Sequence, residues 1–148
     1  MSLNNAFSAA SSGLQASSFR LQAHTLNVAN VSTPYYRRRI PLLYAKEPIS
    51  FSGVLGDQAS ESFPLASSNL TPGVKVAGAL MDETPGKKIY EPNHPQADKD
   101  GYIQLSNVNV LTEMADSLVA SRLYEANLAV VSLIKQMSTR ALEIGRGQ

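Results

Sequence analysis

From Val110 to Ile144 the chain has neither Gly nor Pro, and apolar residues return at Leu111, Ala115, Leu118, Val119, Leu123, Ala126, Val130, Leu133, Met137, Ala141 and Ile144. Steps of three and four place these positions on one face of an α-helix. Leu123, Val130, Met137 and Ile144 stand seven apart, with Val119, Ala126 and Leu133 on an adjacent row, which is the repeat of a coiled-coil seam. At about 1.5 Å per residue such a helix is about 50 Å long, longer than a small domain is wide, so its stripe needs a long partner. The other end of the chain offers one. Phe7, Leu14, Leu21 and Val28 also repeat by seven, and Leu3, Ala10, Ser17, His24 and Val31 fall on the complementary row. This seam is weaker, because Ser17 and His24 interrupt it and Gly13 lowers helix propensity by about 1 kcal/mol relative to Ala. Asn30, Ser32 and Thr33 ahead of Pro34 end the helix, since the residue before a proline is pushed out of helical backbone. A first helix over residues 3–31 is predicted, held in place by the C-terminal one.

Between the helices the texture changes to short β-branched or aromatic runs broken by prolines and glycines. Arg39 to Tyr44, Pro48 to Leu55, Val74 to Leu80, Lys88 to Tyr90 and Tyr102 to Leu105 are predicted strands. Gly56 to Pro72 reads as a long polar loop and Glu91 to Gly101 as a second loop with two prolines. The expected class is α+β: long N- and C-terminal helices paired as a coiled-coil-like hairpin, with a small irregular β module between them. The expected division is 1–33 for the first helix, 34–106 for the module and 107–148 for the second helix. The chain runs out along one helix and back along the other, which brings both termini to the same end.

Length and charge narrow the function. A chain of 148 residues holds one domain or two small ones. It has no unbroken 18-residue apolar run and no basic-then-apolar N-terminus, so neither membrane insertion nor a cleavable signal peptide is expected. Without Cys there is no disulfide or thiolate metal site, and a net charge of +1 argues against broad capture of nucleic acid. The distribution says more than the sum. The first 36 residues carry one charged side chain, Arg20, and no acid. A helix this neutral is expected to meet protein around most of its circumference, more than one hairpin partner covers, which favours polymerisation.

Candidate chemistry is thin. Tyr35 and Tyr36 followed by Arg37, Arg38 and Arg39 form a basic cluster with aromatics, a pattern that can hold phosphate backbones. It stands alone, so the tyrosines are expected to pack at the helix-to-module junction and the arginines to reach carboxylates of a neighbouring element or subunit. Asp98, Asp100 and Gly101 mimic part of a calcium loop, but Gln96 and Asn107 occupy its first and twelfth positions, so a solvated turn is expected. His24 is expected as a satisfied interface residue and His94 as a hydrogen-bonding turn residue. With no nucleophile elbow and no Gly-rich phosphate loop, neither an enzyme nor a cofactor is expected.

The stretch Ala29-Asn30-Val31-Ser32-Thr33-Pro34, followed by Tyr36-Arg37-Arg38, resembles the N-terminal signature of the bacterial flagellar rod and hook family. Tyr90-Glu91-Pro92-Asn93-His94-Pro95, Asn107-Val108-Asn109, Glu113-Met114 and Ala120-Ser121-Arg122-Leu123-Tyr124-Glu125-Ala126-Asn127 are similar to its proximal rod members. Residues 46–72 lie outside the resemblance. The departures fall in turns: Tyr35 where Gly often follows Thr-Pro, Glu91 and Asn93 for Asp and Gly, and Ser106 for Pro. The resemblance implies a non-catalytic subunit of the periplasm-spanning rod of the flagellar basal body, exported by the flagellar type III apparatus without a cleavable signal. It implies an inner tube of terminal helices in a helical hetero-oligomeric assembly, with the same chain, other proximal and distal rod proteins and the export-gate or rod-base proteins as partners. The assembly interface is expected at Phe7, Leu14, Leu21, Val28, Leu123, Val130, Met137 and Ile144, and the junction at Asn30, Pro34, Tyr36, Arg37 and Arg38. The alternative from another class is a small periplasmic calcium- or ligand-binding module.

Overall fold

A computed structural model describes residues 3–46 and 73–147. Helix α1 spans Leu3–Ala29 and helix α2 spans Val110–Arg146. Between them lie β1 (Arg39–Ala45), β2 (Val74–Met81), β3 (Lys88–Tyr90) and β4 (Tyr102–Gln104). The α+β class holds, and four of the five predicted strands are found within a residue of their expected ends. The strand predicted at Pro48 to Leu55 and the loop at Gly56 to Pro72 lie outside the described residues.

Helix α2 starts where Asn109, in extended backbone, accepts the free N–H groups of Leu111 and Thr112 on its side chain. The helices pair antiparallel, because His24 meets Glu113 near one end while Gly13 meets Asn127 further along. Their contact face is small and polar rather than large and apolar. Ala10, Ala16, Ser17, Ala23, His24 and Asn27 are buried on α1, and Glu113 and Ala120 on α2. On α1 this is the complementary row of the expected seam; on α2 it corrects the seam, because neither expected row is the buried one. The buried row of α1 is the one through Ala10, Ser17 and His24, and the inner row of α2 runs through buried Glu113 and Ala120 to half-buried Asn127. The large apolar rows through Phe7, Leu14, Leu21 and Val28 and through Leu123, Val130, Met137 and Ile144 stand three or four residues away from these, about 40–60° around each helix. Small side chains let the backbones approach closely, and Gly13 leaves room for the Asn127 amide: a Cβ would lie 2.7 Å from Asn127 Oδ1.

Strands β1 and β2 form an antiparallel sheet against the same helix α1. Arg39 pairs with Met81 and Ala45 with Val74, and the register shifts between Leu42 and Leu43. Gly78, opposite that bulge, takes φ +125, which only glycine adopts readily. Ser12, buried on α1, accepts the Val74 N–H and anchors the start of β2. Strands β3 and β4 make a second two-stranded antiparallel sheet, with Ile103 buried beneath it and Tyr90 edge-on to Tyr102 at 5.2 Å. The loop between them closes through Asp98 Oδ1, which accepts the N–H groups of Asp100 and Tyr102. His94 Nδ1 accepts from the Gln96 N–H, the turn role expected of it. Asn93, the residue in the usual glycine place, does not adopt positive φ.

Two glycine substitutions test this packing. At Gly86 a Cβ would fall 1.8 Å from the Leu105 carbonyl oxygen, so the backbone must move, and Gly86→Ala is expected to lose about 1–3 kcal/mol in urea denaturation. Gly13→Ala meets only the amide of Asn127, which can swing aside, and gains helix propensity of about 1 kcal/mol; its midpoint is expected to stay close to wild type.

Candidate functional site

Where α1 ends, three segments converge on one carboxylate. Glu113 lies in the first turn of α2 with its side chain at 0% exposure. Its Oε2 accepts from His24 Nδ1 at 2.7 Å and from Asn27 Nδ2 at 2.9 Å, and its Oε1 accepts from Arg38 Nε. An ionised carboxylate only accepts, so His24 carries its proton on Nδ1; Nε2 is buried without a partner among the described residues. Arg38 Nη2 also reaches Asp116 at 3.6 Å. His24, Glu113 and Asp116 bring ligand-type atoms within 4.8 Å of one another, but the Arg38 guanidinium already sits on both carboxylates.

Asn27 ties this centre to the sheet. Its Oδ1 accepts the Arg39 N–H at 2.8 Å and its Nδ2 donates to the Arg39 carbonyl at 2.9 Å, so one side-chain amide stands in for a neighbouring strand. Tyr36 adds its hydroxyl to Asn27 Oδ1. The backbone around Arg38 is clamped as well. Its N–H donates to Asn107 Oδ1, its carbonyl accepts from the Asp82 N–H, and Asn107 Nδ2 holds the Thr84 carbonyl. Ser106 donates its hydroxyl to the Val31 carbonyl, a bond that the usual proline could not make. Tyr35 adopts φ 60, the left-handed backbone for which glycine is suited, at a cost of about 1–2 kcal/mol. Its N–H bonds the Gln104 carbonyl and its hydroxyl the Gln96 carbonyl.

Of the predicted junction residues, Tyr36 and Arg38 enter this centre. Asn30 and Pro34 shape the turn after α1, with Asn30 Nδ2 on the Leu26 carbonyl, and Arg37 is exposed. The basic run is therefore split, its middle member turned inward. Asn27, Asn107, Glu113 and Asp116 were not singled out from the sequence as site residues. Of the predicted interface residues, Leu14 and Val28 are half-buried, while Phe7, Leu21, Leu123, Val130, Met137 and Ile144 are exposed, Ile144 to 78%. Leu14 and Tyr124 border a groove of about 490 Å³ between the helices and Val76 of β2.

On length and composition alone α2 could cross a membrane. Its middle, however, carries Arg122 paired with Glu125 at 3.1 Å, and its inner row offers Glu113 and Asn127 to α1.

Burial by itself raises the Glu113 carboxyl, but hydrogen bonds from Asn27, His24 and Arg38, with the Arg38 charge, outweigh it and hold the group below its ordinary 4.5. A folded value below the unfolded one contributes stability that is complete above the unfolded value and is lost as pH falls through the folded one. The urea midpoint is therefore expected to drop as pH falls below about 4.5, and to drop less in Glu113→Gln. Equal slopes would assign the effect elsewhere, for example to Asp82, which the Thr84 hydroxyl holds low. Asn27→Ala strips partners from both polar groups of Arg39 and from Glu113, and is expected to lose about 3 kcal/mol in the same assay at neutral pH.

A family profile described as flagellar basal body rod FlgEFG protein C-terminal matches residues 99–144. Over 144 residues the chain is 35% identical to the flagellar basal-body rod protein FlgC of Buchnera aphidicola, spanning 97% of this chain and 98% of that relative. The proteins of the same name from Salmonella typhimurium and Bacillus subtilis are 34% and 33% identical, each across 99% of this chain and 100% of the relative. The alignments take in both helices, the polar centre and the turns that join them, and the chain belongs to the FlgC family of flagellar basal-body rod proteins.

Proposed function

We propose that this chain, a structural subunit of the flagellar basal-body rod by family, polymerises through its terminal helices into the helical tube of the proximal rod. The observation that carries this reading is the division of each helix into two faces. Small residues pair α1 with α2 inside the chain, while the larger side chains stay exposed on adjoining rows: Phe7 and Leu21 on α1, and Leu123, Val130, Leu133 and Met137 on α2. Apolar rows this long mark a surface that another protein covers. Residues 1–33 and 107–148 form the inner tube in this reading, and 34–106 the outer module. A head-to-tail contact repeated with an axial rise gives a tube around a channel rather than a closed ring.

Parallel helices along the axis, each tied to its module by the Glu113 centre, would carry torque from the rod base outward. The partners are further copies of the chain, other proximal and distal rod proteins, and the export-gate proteins at the rod base. The site of action is the periplasm-spanning part of the basal body, reached by type III export. This role needs no catalysis and no cofactor.

The test separates folding from assembly. Val130 and Leu21 are exposed in the single chain, so Val130→Asp and Leu21→Asp are expected to change its stability by no more than about 0.5 kcal/mol. Each is expected to abolish rod completion, read as basal-body yield and motility, because a charge would then be buried between subunits. A motile Val130→Asp strain with complete basal bodies would overturn the reading.

A further inference from the structure

We propose that Arg38 acts as an electrostatic interlock, so that α1 and α2 pair stably only after the segment carrying Arg38 has closed over them. The two helices by themselves bring Glu113 into a position with no access to water, with Asp116 nearby on the same helix and its carboxylate oxygen within 4.8 Å of the cluster. Helix α1 contributes Asn27, a neutral donor, and His24. The other buried seam residues, Ala10, Ala16, Ser17, Ala23 and Ala120, carry no charge. The cation that balances Glu113 comes from neither helix. It comes from the linker after α1, as Arg38, whose guanidinium reaches both acids.

What places Arg38 is the β module. Its N–H is held by Asn107, its carbonyl by the Asp82 N–H that follows β2, and the next residue by the Asn27 amide. Asn107 is itself fixed on Thr84. The guanidinium therefore arrives at Glu113 only when β1, β2 and the β4-to-α2 connection are in place. Removing one partner of a buried ion pair leaves an uncompensated charge, a loss of roughly a hundredfold or more in the equilibrium, whereas replacing both by apolar groups is often neutral. A seam of small residues that repeats by seven has little else to reject wrong partners. The interlock makes helix pairing conditional on a completed chain, and it holds whether or not the chain polymerises.

The experiment is amide hydrogen exchange on the full-length chain, read separately for α1, α2 and the β3–β4 sheet. Arg38→Met is expected to speed exchange in both helices about a hundredfold or more, and Arg38→Met with Glu113→Gln, which removes the charge but keeps an acceptor for His24 and Asn27, to restore protection to within about tenfold of wild type. His24→Gln, which keeps a donor on Glu113 but no possible charge, is expected to leave the helices protected. If Arg38→Met unfolds the whole chain, rescue by Glu113→Gln still decides. Three results would overturn the interlock. The second substitution could deepen the loss, which would make Arg38 a packing residue. His24→Gln could be as damaging as Arg38→Met and equally rescued, which would put the balancing charge on α1 itself. Or the wild-type helices could exchange freely beside a protected β3–β4 sheet, which would show that a seated Arg38 does not secure them.

Discussion

A carboxylate with no route to water must be met by donors, and Glu113 collects them from every part of the chain. Asn27 and His24 come from the outgoing helix, Arg38 from the linker, and the helix start that carries Glu113 is itself capped by Asn109. Losing any one leaves the others facing a charge in a poorly solvated place, where an unpaired group is expensive. That dependence makes the helix pair and the module one structure rather than two attached ones. The second attachment, Ser12 to the Val74 N–H, is weaker and lies at the far end of the sheet, so the sheet is fixed along α1 at two points.

The neutrality of α1 has two causes. Part of its surface is covered from within, by α2 on one side and by β1 and β2 on another, and a sheet against a helix tolerates few charges. The remainder, including Phe7 and Leu21, is exposed and still apolar. Charge counting detects both conditions alike and cannot divide them. The division rests on side-chain size: the covered face is built from Ala, Ser and Gly, and the open face from Leu and Phe.

That difference explains what was legible in the sequence. The end of α1, the strand positions and the α+β class follow from local signals such as Pro34, the short β-branched runs and the glycine-free run of α2. The choice of seam does not. Heptad reading ranks rows by apolar bulk and so favours Leu14, Leu21, Leu123 and Val130, whereas close helix approach favours the neighbouring rows of small residues, three or four positions away. Gly13 was read as a weakness in the helix; its Cβ-free surface is what admits Asn127. Glu113 escaped notice for a different reason. An acid in the first turn of a helix already has an explanation in the helix dipole, so nothing in the local pattern hinted that three distant residues would converge on it. Asn27 is likewise an unremarked polar residue near a helix end until Arg39 is seen to use its amide as a strand partner.

The two departures from family usage at the junction fit the same constraint. Tyr35 holds a backbone conformation that disfavours any side chain with a Cβ, yet it gains two hydrogen bonds to the β3–β4 side of the module, at Gln104 and Gln96, one of which glycine could not make. Ser106 similarly replaces the stiffness of proline with a bond to the Val31 carbonyl. Both exchange a backbone preference for a tie between the end of α1 and the chain entering α2. The junction can thus depart from family usage at its turns while its buried charge stays balanced, because what the fold requires there is the position of one cation rather than one way of holding it.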